Sequence, residues 1–137
     1  MVADAEALKE RLQHLNERNG ILFKISADPR ITRVGRILRK FSLDELPQLW
    51  NVLIQDMSLV GPRPCVPTEY DQYALEHLQR LDVTPGITGL WQVTARRNPS
   101  FEDYILQDKH YVNNWSLGLD CKILWKTIAV VVSGTGQ

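Results

Sequence analysis

Cysteine is almost missing from this chain: Cys65 and Cys121 are the only two among 137 residues. They stand far apart, without C-x-x-C spacing or a Cys/His ligand pattern, which argues against a zinc site or disulfide framework and fits a reducing, cytoplasmic setting. Histidine is nearly as scarce. His14, His77 and His110 lack metal-ligand spacing and read as surface or packing residues, and no nucleophile elbow supports a Ser/His/Asp hydrolase. No run of about 18 apolar residues is present, so the sequence as it stands is not expected to cross a bilayer. Met1 to Asn19 is charged throughout and lacks the apolar core of a secretory signal. Net charge is absent as well, because 16 basic and 16 acidic residues cancel, and no internal repeat is visible.

What the chain does contain is ordinary for a globular protein. Hydrophobic residues make up 44% and charged residues 23%, over a length that suits one domain around one core. The charges are segregated. Lys24, Arg30, Arg33, Arg36, Arg39 and Lys40 are accompanied by a single acid, Asp28, which marks a segment suited to an anionic partner. That block has no interleaved aromatic residues for stacking on bases, so no nucleic-acid partner is expected.

Periodicity predicts a mainly α fold: about six helices around one core, with short extended segments and Pro/Gly-rich loops. Leu8, Leu12 and Leu15 share a stripe in a first helix over Ala3–Asn19, stopped by Asn19-Gly20. Ile21–Ile25 reads as a short strand or arm, and Asp28-Pro29 as a turn. Thr32 is the expected cap of a second helix with Val34, Ile37, Leu38 and Phe41 as its buried stripe and Arg33, Arg36, Arg39 and Lys40 opposite. Leu46, Leu49, Trp50 and Leu53 supply the apolar face of a third. Glycine and proline in Met57–Pro64 and Pro85–Gly89 point to irregular loops, the second leading into an extended Leu90–Val93. A fourth helix begins near Thr68 with Tyr70, Ala74, Leu78 and Leu81 inward. Ser100 caps a fifth carrying Tyr104, Ile105, Tyr111 and Val112, and a last helix covers Leu119–Val132. Lys122, Trp125 and Lys126 in that last helix fit either an interfacial helix on a membrane or a terminal helix packed on the core.

The most informative position is Asp44-Glu45, adjacent carboxylates in Ser42-Leu43-Asp44-Glu45-Leu46-Pro47 directly after the basic row. Acids at a helix start serve as caps favoured by the macrodipole, or as nucleophile and metal ligand in phosphoryl chemistry. Ser42 can cap by itself, so two further acceptors exceed what capping needs, and their mutual repulsion calls for a cation. Two registers fit: Ser42 capping with Glu45 in an S-x-x-E box, or Asp44 capping with Pro47 in the first turn and Glu45 free. Arg39 at the end of its helix, with Arg63 and Arg96 in or beside stiff loops, are the candidate anion contacts.

Three ordered segments carry a resemblance: Arg39-Lys40-Phe41-Ser42-Leu43-Asp44-Glu45-Leu46-Pro47-Gln48-Leu49, Asp56-Met57-Ser58-Leu59-Val60-Gly61-Pro62-Arg63-Pro64 and Pro85-Gly86-Ile87-Thr88-Gly89. They resemble the bacterial sugar transferase family, the monotopic polyprenyl-phosphate phosphoglycosyl transferases that start exopolysaccharide, O-antigen and glycoprotein glycan assembly. The resemblance runs from about Lys24 to the C-terminus. It implies transfer of a sugar 1-phosphate from a UDP-sugar to polyprenyl (undecaprenyl) phosphate at the cytoplasmic face of the bacterial inner membrane, with release of UMP. It further implies that Asp44 attacks the β-phosphorus to give a covalent phosphosugar and that Glu45, with Asp44, associates with Mg2+. Arg39, Arg63 and Arg96 match arginines near the phosphates. Family members carry an upstream re-entrant membrane helix, so residues 1–137 are expected to be one N-terminally truncated catalytic domain associated with a membrane surface. Gln55 and Ala95 stand where the family usually has glycine. The other reading is a non-catalytic peripheral module that binds membrane or a partner through the basic face.

Overall fold

Thr32, Ser100 and Ser116 each stand in extended backbone and offer a side-chain oxygen to the amide three residues on, and each opens a helix. The computed structural model describes residues 1–2, 4–17, 23, 25, 27–94 and 100–134, apart from the side chains of Glu6 and Glu10, and these are mainly helical. In chain order they form α1 (Ala5–Arg11), α2 (Arg33–Lys40), α3 (Gln48–Leu53), β1 (Ser58–Val60), α4 (Pro67–Tyr70), β2 (Gly86–Thr88), α5 (Leu90–Thr94), α6 (Phe101–Asn113) and α7 (Leu117–Val132). Tight 3-10 turns lie at Gln13–Leu15, Leu43–Glu45 and Leu75–Leu81. At α6 the cap is reciprocal: Asp103 N donates to Ser100 Oγ at 3.1 Å and Ser100 N to the Asp103 carboxylate at 3.2 Å. The Asp28-Pro29 turn closes through Ile31 N and Asp28 O at 3.2 Å.

Several sequence expectations are corrected. The first helix is shorter than predicted, because the α-helix ends at Arg11 and Asn16 has left helical geometry; its Asn19-Gly20 stop, like most of the Ile21–Ile25 arm, lies outside the described residues. Met57–Pro64 and Pro85–Gly89 are not wholly irregular. Ser58–Val60 precedes the first glycine and pairs in parallel with Gly86–Thr88, Ser58 opposite Gly86 and Val60 opposite Thr88. Leu90–Val93 is helical, as part of α5, rather than extended. The predicted fourth helix breaks after Tyr70 into a 3-10 segment, which repeats every three residues. Tyr70, Ala74 and Leu81 therefore stay exposed, while His77 and Arg80, three apart, turn inward.

The core gathers Val60 of β1, Tyr111 of α6 and Ile123 of α7, with Val83, Leu90, Val93, Val112, Leu119 and Leu124 against them. Tyr111 adds a polar tie, its hydroxyl 2.8 Å from Asp120 Oδ1. The stripe expected to be buried on α2 is instead exposed, Val34 at 66% and Ile37 at 60%, and Trp50 and Leu53 of α3 are exposed at 66% and 75%. The core is built around the sheet, α6 and α7, so these two short helices keep their apolar faces outward.

Glycines make the sheet possible. A Cβ on Gly61 would lie 2.6 Å from Thr84 O and 2.9 Å from Gly86 N, and one on Gly89 would lie 2.5 Å from Gly61 O. Two loops thus cross backbone to backbone. Gly61→Ala is expected to cost about 1–3 kcal/mol of stability; an unchanged urea midpoint would show that the crossing tolerates a side chain. Gln55 ends α3 in the left-handed region at φ 69°, its N–H bonded to Val52 O and that of Asp56 to Asn51 O. That is a Schellman ending, where glycine avoids the Cβ penalty. Gln55→Gly should therefore raise stability by about 1 kcal/mol, read in the same urea titration.

Candidate active site

The acidic pair owes its position to two backbone constraints. Ser42, the residue after α2 and its C-cap Phe41, takes φ 54° and ψ 27°, and its N–H returns to Arg39 O at 3.0 Å. It ends one helix in left-handed geometry and so does not cap the next. Pro47 is the N-cap of α3, where a missing N–H costs nothing, and Trp50 N donates to Pro47 O at 3.1 Å. Neither predicted register holds. Asp44 and Glu45 sit between the two helices on the 3-10 turn Leu43–Glu45, and neither caps a helix.

Asp44 Oδ2 lies 3.8 Å from Arg39 Nε, an ion pair without a close hydrogen bond. Glu45 has no ion-pair partner among the described residues. Both acids open onto a cavity of about 240 Å³ whose wall also includes Arg39 and Arg63. Its remaining lining comes mainly from β2, α5 and α7, with Thr88, Trp91, Gln92 and Thr127 among the residues. Four of the five candidate residues thus meet at one cavity, two carboxylates and two guanidinium groups. Arg96 lies outside the described residues. Among the described residues no cluster of three or more His, Cys, Asp or Glu side chains is poised to hold a metal.

The sequence alone does not reveal the far wall. Thr88 Oγ1 and Thr127 Oγ1 stand 2.7 Å apart, linking β2 to α7 beside the cavity. Trp91 Nε1 and Gln92 Oε1 are buried without a hydrogen-bond partner among the described residues. No spacing rule joins these positions in sequence; only the β1–β2 pairing and the path of α7 bring them together. His77 is a packing residue, as expected: its ring meets Phe101 at 5.1 Å and its Nδ1 accepts from Ala74 N at 3.1 Å. His14 and His110 are exposed.

Comparison with known proteins bears on this geometry. The sequence profile described as bacterial sugar transferase matches residues 1–134. The chain belongs to the bacterial sugar transferase family. It is 47% identical over 137 residues to a galactosyl transferase, CpsE, of Streptococcus agalactiae serotype III, covering 99% of this chain and 30% of that protein. A UDP-galactose-lipid carrier transferase of Erwinia amylovora is 53% identical over 114 residues, 83% of this chain and 24% of that protein. The undecaprenyl-phosphate galactose phosphotransferase of Salmonella typhimurium is 52% identical over the same share of this chain, which again covers 24% of it. The chain therefore spans 24% to 30% of the length of these relatives.

Within this bacterial sugar transferase chain, the acids contribute little to folding. A partly exposed ion pair is worth about 0–1 kcal/mol, and no cap depends on either carboxylate. Asp44→Asn and Glu45→Gln should each leave the thermal unfolding free energy within about 0.5 kcal/mol of the parent. A larger loss in calorimetry would assign the acids a structural role.

Proposed function

We propose that this chain carries the catalytic site of a phosphoglycosyl transferase. The observation behind this reading is the single cavity that gathers Asp44, Glu45, Arg39 and Arg63, a set suited to attack on a diphosphate. The substrates are a UDP-sugar and a polyprenyl phosphate, as the names of the Erwinia and Salmonella relatives indicate for those proteins. Asp44 attacks the β-phosphorus; a phosphorus–oxygen bond forms to its carboxylate as the bond to the bridging oxygen breaks, and UMP leaves. An oxygen of polyprenyl phosphate then attacks the same phosphorus, releases the carboxylate and yields a polyprenyl-diphosphate-sugar. Arg39 and Arg63, with Arg96, offset the charge that gathers on the phosphate oxygens.

Two adjacent carboxylates fit Mg2+, which commonly takes one or two protein carboxylates and completes its shell with water and substrate phosphates. Glu45, with Asp44 beside it, would hold the ion, and when bound it supplies charge neutralisation on the diphosphate. Arg39 keeps Asp44 paired until substrate arrives.

The exposed apolar faces of α2, α3 and α7 support a site that works against a membrane surface. Trp125 and Val132 of α7 are exposed at 75% and 77% beside Lys122 and Lys126, a composition that suits the headgroup boundary. No helix among the described residues is long and apolar enough to cross a bilayer. This surface also suits a non-catalytic module that only binds the membrane.

One experiment separates the two. The chain is incubated with Mg2+, a panel of UDP-sugars and a short polyprenyl phosphate in anionic vesicles, and UMP release and a phosphosugar adduct on the protein are followed. Parent protein is expected to release UMP and to carry an adduct at Asp44, and Asp44→Asn to lose both, by a factor of at least about 1,000. Vesicle binding with neither UMP nor adduct would leave the non-catalytic module as the function, and full turnover by Asp44→Asn would remove the nucleophile assignment.

A further inference from the structure

Arg80 is the most deeply buried basic residue described, with 0% of its side chain exposed, and its partner Asp108 on α6 shows 1%. Neither lines the cavity. Taking two charges out of water costs several kcal/mol per ion, and apolar residues of similar volume commonly stabilise a fold as well. Stability is therefore a poor explanation for this pair. The directions of its hydrogen bonds give a better one.

The guanidinium fork spends its donors on three different parts of the fold. Arg80 Nε and Nη2 reach Asp108 Oδ2 at 3.0 and 2.9 Å, which ties the 3-10 segment Leu75–Leu81 to α6. Nη1 donates to the Tyr73 hydroxyl at 2.5 Å. Nη2 donates to the backbone carbonyl of Arg63 at 2.5 Å, 17 residues away in sequence. The ring of Tyr104 lies 4.4 Å from the guanidinium carbon, closing one face of the fork. Asp108 is thus the anchor, Tyr104 the backing, and the Arg63 carbonyl the load.

Arg63 itself is exposed and faces the cavity, between two prolines that fix φ at 62 and 64. Pro62 O accepts from Gly86 N at 2.8 Å, so the sheet holds the loop just before Arg63. Arg80 holds it at Arg63. We propose that Arg80 and Asp108 are positioning residues: buried behind the site, they fix the Arg63 backbone so that its side chain meets a diphosphate in the cavity. This rests on the reading of Arg63 as a phosphate contact, and it adds two residues that no sequence motif connects with the site. A planar fork is required, because an ammonium group presents no geometry that serves Asp108 and a distant carbonyl together.

The test is calorimetric titration of the 137-residue chain with UDP in the presence of Mg2+. Arg63→Ala should weaken UDP binding by about tenfold or more, the scale of one charged hydrogen-bond contact. The apolar replacement Arg80→Met with Asp108→Leu should retain an unfolding midpoint near the parent's and lose UDP affinity by a similar factor. Combined with Arg63→Ala it should cost nothing further, because both changes act through the same contact. Arg80→Lys keeps the buried charge, serves as the second variant if the apolar pair does not fold, and should show the same loss and the same non-additivity.

The outcomes are distinct. Unchanged UDP affinity in Arg63→Ala removes the phosphate-site reading, and the positioning role with it. A loss in Arg63→Ala with parent affinity in folded Arg80 variants overturns the positioning role alone. So do losses that multiply in the combined variant, since they would show Arg80 acting on the site by a path other than Arg63.

Discussion

The site depends on how closely two backbones approach at the β1–β2 pair. Gly61 and Gly86 lie where a Cβ on either would meet the opposite strand's main chain, and Gly89 lies over Gly61 O. Hydrogen bonds from Ser58 N to Pro85 O and from Gly61 N to Thr88 O, at 2.8 and 2.9 Å, hold the crossing. Arg63 lies three residues beyond the end of β1, and Ile87 and Thr88 belong to β2, so the pairing brings both segments to the cavity. Thr88 then reaches Thr127 on α7, which places the long C-terminal helix along the same wall. Two three-residue strands thereby orient most of the cavity lining.

Around an apolar core, several residues of this chain depart from the usual burial preference. Arg80, Asp108, Asp28 and Arg30 are buried while Trp50, Leu53, Trp125 and Val132 are exposed. Each buried charge is paid for locally. Asp28 takes bonds of 2.6 to 3.1 Å from the Arg30 side chain, and that contact holds its carboxyl below the ordinary range. The exposed apolar residues have no such local answer, and large apolar surface facing water is a cost that a partner or membrane removes. They are concentrated on α2, α3 and α7, which are also the elements that flank the acidic turn and line the cavity. Under the proposed chemistry that arrangement puts the reacting acids next to the surface from which a lipid phosphate would arrive.

Local signals were legible in the sequence and long-range ones were not. The caps at Thr32 and Ser100, the turn at Asp28-Pro29 and helices α6 and α7 followed from spacing, because a cap or an i, i+4 stripe needs only neighbouring residues. The candidates Arg39, Asp44, Glu45 and Arg63, which line one cavity, stand out locally as well, the acids by their adjacency after a basic row and Arg63 by its proline-stiffened loop. The stripe on α2 failed because amphipathicity shows that a face is apolar without showing what covers it. The strands failed because three residues are too few for a period-two pattern, and the glycines beside them signalled a turn where they in fact permit close approach. Asp108 left one trace: it shares a helical face with Tyr104 and Tyr111, and a charge on an apolar face signals a buried partner. Nothing in the spacing identified that partner as Arg80.

The acidic turn shows how one backbone choice excludes a bland explanation. A serine that caps a helix through its side chain typically stands in extended backbone, and Ser42 is left-handed because it terminates α2. Pro47, not Ser42 or Asp44, is the N-cap of α3. Between these two fixed points the chain has room for one 3-10 turn, and both acids fall on it with their side chains released from capping. Arg39 then stands 3.8 Å from Asp44, close enough to lower the repulsion between adjacent carboxylates and too far to occupy them with a short hydrogen bond. A carboxylate that is neither capping nor tightly bonded loses little when it turns to a ligand. The same backbone that makes the acids redundant for folding is therefore what leaves them available for chemistry.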